Sequence, residues 1–224
     1  MIELKKIIIT QPDDWHVHLR EGKMLKCVIE KTSRINKRCI AMPNLKNPII
    51  NTSLCKKYIS DIKKVNASNS FLPLIPCYLT DKLDLDDFQT GIKNNIFVGA
   101  KLYPLNATTN SNYGISNLKN IYKALEILEK NNKPLLIHGE KVGNNISLFD
   151  REKYFIDDEL NMIRKNFPML RIVLEHVSSQ YGADFVNESK NLFATITLHH
   201  MLLTKKDVFQ KNINAYNYCM PVVK

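Results

Sequence analysis

Apolar and polar positions follow two distinct rhythms along this chain. Short apolar runs rich in β-branched and aromatic residues recur roughly every 25 to 40 residues, and between them lie longer segments whose apolar positions fall on one helical face. The runs at residues 15–19, 38–42, 71–79, 96–103, 134–138, 171–177 and 192–199 read as strands, about seven in all. Leu54, Tyr58, Ile59, Ile62 and Val65 share one helical face, and so do Leu118, Ile121, Tyr122, Leu125 and Leu128. Ser116 is placed to cap the second of these helices, while Asp157 and Asp158 are placed to open another that carries Leu160 and Ile163. Strands alternating with helices at this pitch need right-handed crossovers and a parallel sheet, either open and doubly wound or closed into an eight-stranded barrel. With no proline-rich linker and no break in composition, residues 1–224 read as a single domain.

Composition adds exclusions more than assignments. At 44% hydrophobic and 24% charged residues the chain has the balance of an ordinary globular protein. No window approaches the roughly 18 consecutive apolar residues of a membrane span, and the opening MIELKKIIIT turns polar too soon for a secretory signal. The expectation is a cytoplasmic protein with no membrane partner. Cys27, Cys39, Cys55, Cys77 and Cys219 are odd in number and widely spaced, with no C-x-x-C pair, so they read as reduced and mostly core thiols. The net charge of +10 comes from lysines spread along the whole chain without a tract or stripe, and no nucleic-acid partner is expected. The abundance of lysine, asparagine and isoleucine is what an AT-rich genome produces. With only 7 glycines there is no glycine-rich phosphate loop, and hence no expectation of a nucleotide cofactor.

The chemistry concentrates in a few strand positions. His16 and His18 lie two apart in the first run, and side chains two apart on a strand share a face, so both imidazoles point the same way. Alone, the pair reads equally as a surface accident or as half of a metal site. Lys101 stands inside an apolar run where an amine is costly to bury without a partner, and His138 and His176 close two further runs. Four of the 6 histidines and one lysine thus fall at the C-terminal ends of parallel strands, the end of a barrel where active-site residues collect. The bland reading, core histidines and a lysine snorkelling to solvent, needs all of them at equivalent depth by chance. This placement selects the barrel over the open sheet. Neutral imidazoles suit zinc, and a lysine becomes a metal ligand only when carbon dioxide converts its neutral amine to a carbamate. Such a carbamate can bridge two cations, and the hydroxide between them is a strong nucleophile near neutral pH. His199 and His200 end the last run and read as structural.

At this point the chain resembles the amidohydrolase superfamily and, within it, the bacterial dihydroorotases. The strings that carry the resemblance are Pro12-Asp13-Asp14-Trp15-His16-Val17-His18-Leu19-Arg20, Ala41-Met42-Pro43-Asn44, Cys77-Tyr78-Leu79-Thr80, Ala100-Lys101-Leu102-Tyr103-Pro104 with Asn106-Ala107-Thr108-Thr109-Asn110-Ser111, Leu136-Ile137-His138-Gly139-Glu140, Phe149-Asp150-Arg151-Glu152 and Glu175-His176. H-x-H alone points only to the superfamily, whereas K-L-Y-P, N-A-T-T-N and M-P-N in this order resemble dihydroorotase. The resemblance implies a TIM-type (β/α)8 barrel holding two zinc ions, one on His16 and His18, the other on His138 and His176, with Lys101 as the bridging carbamate. It further implies that Arg20 and Asn44 hold a substrate carboxylate, with His18 and His138 also facing the substrate. Thr108 and Thr109 would lie on a mobile loop that closes over it, and the main chain of Met220 would touch its ring. A surface ion pair for Arg20 and a turn role for Asn44 are the bland alternatives. The implied reaction is the interconversion of N-carbamoyl-L-aspartate and L-dihydroorotate in pyrimidine biosynthesis, on a small-molecule substrate, by a protein that is a homodimer when full length.

The chain ends at Lys224, before any string like the family's eighth-strand G-T-D-S, whose aspartate ligates zinc and shuttles the proton. The expectation is therefore an incomplete barrel of about seven βα units, with that general base absent and the first and last strands left with open edges. Two alternatives stay beside the dihydroorotase reading: a catalytically inactive truncated remnant, and another cyclic-amide hydrolase such as a hydantoinase.

Overall fold

The computed structural model describes residues 6–66 and 70–224. In chain order its elements are β1 (Asp13–Val17), α1 (Gly22–Ile35), β2 (Arg38–Ala41), α2 (Thr52–Val65), β3 (Leu72–Leu74), β4 (Cys77–Tyr78), α3 (Leu85–Lys93), β5 (Ala100–Leu102), α4 (Tyr122–Lys130), β6 (Leu135–His138), α5 (Arg151–Phe155), α6 (Asn161–Asn166), β7 (Ile172–Glu175), α7 (Gln180–Asn187), β8 (Leu192–Ala194), α8 (Leu198–Leu202) and α9 (Lys205–Val208). Every strand pairing is parallel, in the orders β1-β2-β3 and β4-β5-β6-β7-β8. The run at 71–79, read from sequence as one strand, is two. Pro76 has no N–H to give a ladder, and the chain steps from the first sheet to the second across Ile75 and Pro76.

The strands curl. Counting β3 and β4 as one stave, β1 and β7 would stand about 24 Å apart in a flat sheet, five strand spacings, yet His16 Nδ1 of β1 lies 2.9 Å from Glu175 Oε2 of β7. Alternation along each strand then sorts side chains into an outer and an inner set. Cys39, Ala41, Ala100, Leu102, Leu135, Ile137, Ile172 and Leu174 join the large core beneath the helices. The residues between them, Ile40, Met42 and Leu136 with Leu74 and Val173, pack together as a separate inner cluster drawn from opposite staves. One step further along those inner rows come Asn44, His138 and Glu175. The apolar inner cluster is therefore the floor, and the chemistry sits on it, as in a layered barrel interior. Among the described residues no ladder joins β8 to β1; a cleft of about 490 Å³ lined by Trp15, Thr195 and Ile196 lies between them.

Several local expectations need correction. The last run stops as a strand at Ala194, and His199 and His200 ride instead on α8, where Thr197 Oγ1 and the Pro221 carbonyl hold the two ring nitrogens of His200. Ser116 is not the cap of the helical segment before α4. Asn117 Oδ1 accepts from Lys119 N, while the Ser116 hydroxyl donates to Asp81. Asp157 and Asp158 do not open a helix. The helical run starts at Arg151, and both lie in a π-helical turn, Ile156–Leu160, between α5 and α6. The amphipathic faces hold: Tyr58 and Ile62 of α2 are buried, as are Leu125 and Leu128 of α4. Of the cysteines, Cys39, Cys55 and Cys77 are buried, Cys27 and Cys219 exposed, and all are free thiols.

Candidate functional site

At the C-terminal ends of the strands a cavity of about 350 Å³ is lined by His16, His18, Arg20, Asn44, Thr108, Thr109, His138, His176 and Met220, together with Tyr103, Thr197, His199, His200, Tyr218 and Cys219. The structure thus brings to one wall every site residue singled out in the sequence except Lys101, which lies fully buried in the floor. The turns that aim these groups are specific. Arg20 leaves β1 with φ +58, and its carbonyl accepts a 2.8 Å hydrogen bond from the Tyr58 hydroxyl of α2. His176 follows β7 with φ +45, its amide donating to Thr195 Oγ1 at 2.8 Å. Non-glycine residues in this left-handed region persist only where their surroundings over-determine them, a pattern common at functional sites.

The polar floor is a chain of contacts. Lys101 Nζ donates to Glu175 Oε2, and the same oxygen is 2.9 Å from His16 Nδ1. His16 Nε2 faces His18 Nε2 at 3.4 Å; His138 Nδ1 faces His176 Nε2 at 3.1 Å; and His138 Nε2 lies 2.7 Å from Glu140 Oε2. Burial sets the protonation states. It pulls His18 down to about 3, helped by the positive charges around it, and takes His176 well below the usual imidazole value. His138 is also lowered by burial, against the opposing pull of Glu140. These rings are neutral at neutral pH. Burial likewise lowers the Lys101 amine from its ordinary value, with Glu175 opposing.

These donors suit a metal in kind and spacing. Two nitrogens at the usual zinc–nitrogen distance on a tetrahedral ion stand about 3.3 to 3.4 Å apart, close to the 3.4 and 3.1 Å of the two histidine pairs. His176 Nδ1 and Glu175 Oε1 are buried without a hydrogen-bond partner. Among the described residues no three His, Cys, Asp or Glu side chains form a metal-holding group by themselves. The donors come as two pairs, with Lys101 fully buried in the same floor.

Polar contacts also tie the loop to the wall. Asn44 Nδ2 donates to the Thr109 carbonyl at 3.0 Å, Asn110 Nδ2 donates to the Asn44 carbonyl at 2.9 Å, and the Tyr78 hydroxyl donates to the Asn110 carbonyl. Asn44 Oδ1 is left buried and without a partner.

No family model matches the chain. A dihydroorotase of Buchnera aphidicola subsp. Schizaphis graminum is 45% identical over 227 residues, which take in 99% of this chain and 64% of the relative. The chain is homologous to dihydroorotases. It therefore spans a little under two thirds of the length of the curated relatives it matches. The crystal structure of dihydroorotase from Campylobacter jejuni superimposes with a TM-score of 0.87 at 34% identity, over 96% of this chain and 62% of that one. Dihydroorotase from Saccharomyces cerevisiae, solved with 5-fluoroorotic acid, gives 0.85 at 30% identity, over 95% and 62%. L-hydantoinase from Arthrobacter aurescens shares the fold alone, with a TM-score of 0.75 at 14% identity over 95% of this chain and 52% of that one. The α/β barrel architecture expected from the sequence is that of these solved structures. Among the described residues no helix is long and apolar enough to cross a membrane.

Sequence reasoning missed part of the wall. Glu140 and Glu175 are fully buried beside His138 and Lys101. A signal existed for Glu175, which follows the floor residue Val173 on the same inner row of β7, whereas Glu140 is brought in by the turn after β6 and not by strand alternation. His199 and His200, read as structural, line the cavity, as do Tyr103 and Cys219.

Proposed function

We propose that this chain carries the dihydroorotase site, acting on the ring amide that links L-dihydroorotate and N-carbamoyl-L-aspartate. The observation that supports this most directly is the convergence, on one cavity, of two histidine pairs over a buried lysine with Arg20 and Asn44 on the same wall. His16 with His18 and His138 with His176 would hold two zinc ions, and Lys101, as the carbamate formed with carbon dioxide, would bridge them. Bound there, the metals would supply Lewis-acid polarisation of the scissile carbonyl and activation of water.

The chain's own residues bind and orient the substrate. Burial lowers the Lys101 amine, which favours the neutral form whose nitrogen lone pair attacks carbon dioxide, a proton leaving the nitrogen as the carbamate forms. Arg20 presents a planar fork of donors to a carboxylate, and the Asn44 side-chain amide adds to the grip, so that the reacting bond is held in one orientation. Thr108 and Thr109 ride on the loop that Asn44 and Asn110 stitch to the wall, which places a cover over the cavity to exclude water. Met220 lines the rim where a planar ring would rest. A hydantoinase acts on a similar ring amide, but a paired guanidinium and amide facing the cavity favour a substrate bearing a carboxylate. The cytoplasmic setting, the role in pyrimidine biosynthesis, the single-domain organisation of residues 1–224 and the homodimeric full-length state belong to the same proposal.

The test is hydrolysis of L-dihydroorotate at neutral pH with zinc and bicarbonate, beside a Lys101→Ala variant. Turnover that vanishes in the variant is the expected result. A full-length version that binds two zinc ions without turnover would overturn the reading, whereas zinc bound without turnover by residues 1–224 alone would mark a ligand set lacking its general base.

A further inference from the structure

Glu140 has no role in the reaction proposed above, yet it is among the most enclosed charged groups in the molecule. Its chain position is built for one contact. The strand ends at His138, and the Glu140 amide turns back to donate to the His138 carbonyl at 3.1 Å. Gly139 permits this turn against β7, since a Cβ there would stand 2.4 Å from Leu174 Cδ1. Doubling back brings Glu140 Oε2 to 2.7 Å from His138 Nε2, with Glu140 0% and His138 2% exposed, so no bulk water competes.

A carboxylate only accepts, so the nitrogen facing it must carry the proton. A neutral imidazole has one N–H, and Nδ1 is then a bare lone pair. That is the nitrogen 3.1 Å from His176 Nε2. We infer that Glu140 is a positioning residue: it fixes His138 as the Nε2–H tautomer, so that Nδ1 of His138 and Nε2 of His176 form the donor pair for the second cation. The inference rests on the two-zinc reading of the site and assigns it a residue beyond the ligand set.

Fold stability does not account for Glu140. Its other oxygen, Oε1, is buried with no partner, an arrangement that costs stability. Glu152, also buried, shows the structural use of a carboxylate, with both oxygens taken by the serines that follow His176. Carboxylates behind metal-binding histidines orient the ring and set its tautomer, and losing one typically weakens metal binding about 10–100-fold.

The test compares the wild-type chain with Glu140→Gln and Glu140→Ala by three readouts: His138 tautomer by nitrogen-15 NMR of the metal-free protein, zinc affinity by chelator competition, and thermal melting. The expected wild-type ring is pure Nε2–H. The alanine variant should show mixed tautomers and bind one of the two zinc ions about 10–100-fold more weakly, with no drop in melting temperature. Glutamine, whose carbonyl can still accept, should restore part of both. Wild-type zinc affinity in the alanine variant, or a loss that only tracks a fall in melting temperature, would overturn the inference. Because the tautomer is read without metal, a wild-type protein that takes up no zinc overturns the two-zinc reading, while the NMR result still decides what Glu140 does to the ring.

Discussion

Glu152 of α5 should prove one of the most costly single side chains to remove. Its Oε2 accepts from the Ser178 amide at 2.8 Å and the Ser178 hydroxyl at 2.9 Å, and its Oε1 accepts from the Ser179 hydroxyl. The residue is 2% exposed, so water does not replace these bonds when the carboxylate goes. Hydrogen bonds to a charged group are worth about 1.5–3 kcal/mol each, and neighbours are not additive, which gives about 3–5 kcal/mol for Glu152→Ala. For a chain of this length that is a fall of about 10 °C in Tm. Glutamine keeps one acceptor and should cost about 1–2 kcal/mol. The assay is urea unfolding followed by circular dichroism. The control is Lys153→Ala, whose partner Asp157 is one turn away on the surface, with an expected change of under about 0.5 kcal/mol. A loss below about 1 kcal/mol in Glu152→Ala would refute the reasoning. It would mean that the strained turn after His176 is held by Thr195 alone.

Four other outcomes can be measured. Gly182→Ala should destabilise by about 1–3 kcal/mol, because the new Cβ would stand 2.6 Å from Glu152 Oε1, an atom already committed to Ser179. Tyr58→Phe should cost about 1 kcal/mol and raise KM more than it lowers kcat, since the hydroxyl holds the Arg20 carbonyl. Removing zinc with a chelator should lower Tm, the loss growing with the free zinc concentration before removal, as linkage requires. Glu159 is raised from 4.5 to about 7 by burial, with Lys141 opposing. The folded state then holds that proton more tightly than the unfolded state, so its stabilising contribution is present below pH 4.5 and is lost as pH rises through about 7. Glu159→Gln should flatten that slope and leave the variant more stable at pH 8 by about 1–2 kcal/mol, a figure discounted for the 27% exposure of the side chain. Equal urea midpoints at pH 5 and pH 8, for both chains, would exclude it.

The alternation of strands and helices was legible because each strand buries its outer row under helices and so reads as an apolar run. His16, His18, Lys101 and His138 stood out for the same reason, being polar breaks in those runs. Boundaries were less legible where tertiary contacts decide them. The residues at 192–199 have strand propensity throughout, yet the chain turns into α8 after Thr197, where the His200 ring is held between Thr197 and Pro221. Ser116 has the composition of a cap, but Asp81, 35 residues earlier, takes its hydroxyl.

The buried carboxylates illustrate a different limit. Glu175 shares an inner row with Val173, and its position two residues on from an apolar floor residue is readable in one dimension. Its partner is not: Lys101 is 74 residues away on β5, two strands over, and only the curl of the sheet brings the two rows together. The sequence can therefore assign which residues face the interior, because that depends on local period, while charge compensation among them depends on barrel curvature. The inward-facing set is nonetheless small. Given the parallel order, each charged residue on an inner row must find its partner on another inner row or lie exposed at the rim. By that rule Glu175, one step past the floor, meets Lys101 and His16, while Glu140, in the turn after β6, meets the His138 ring.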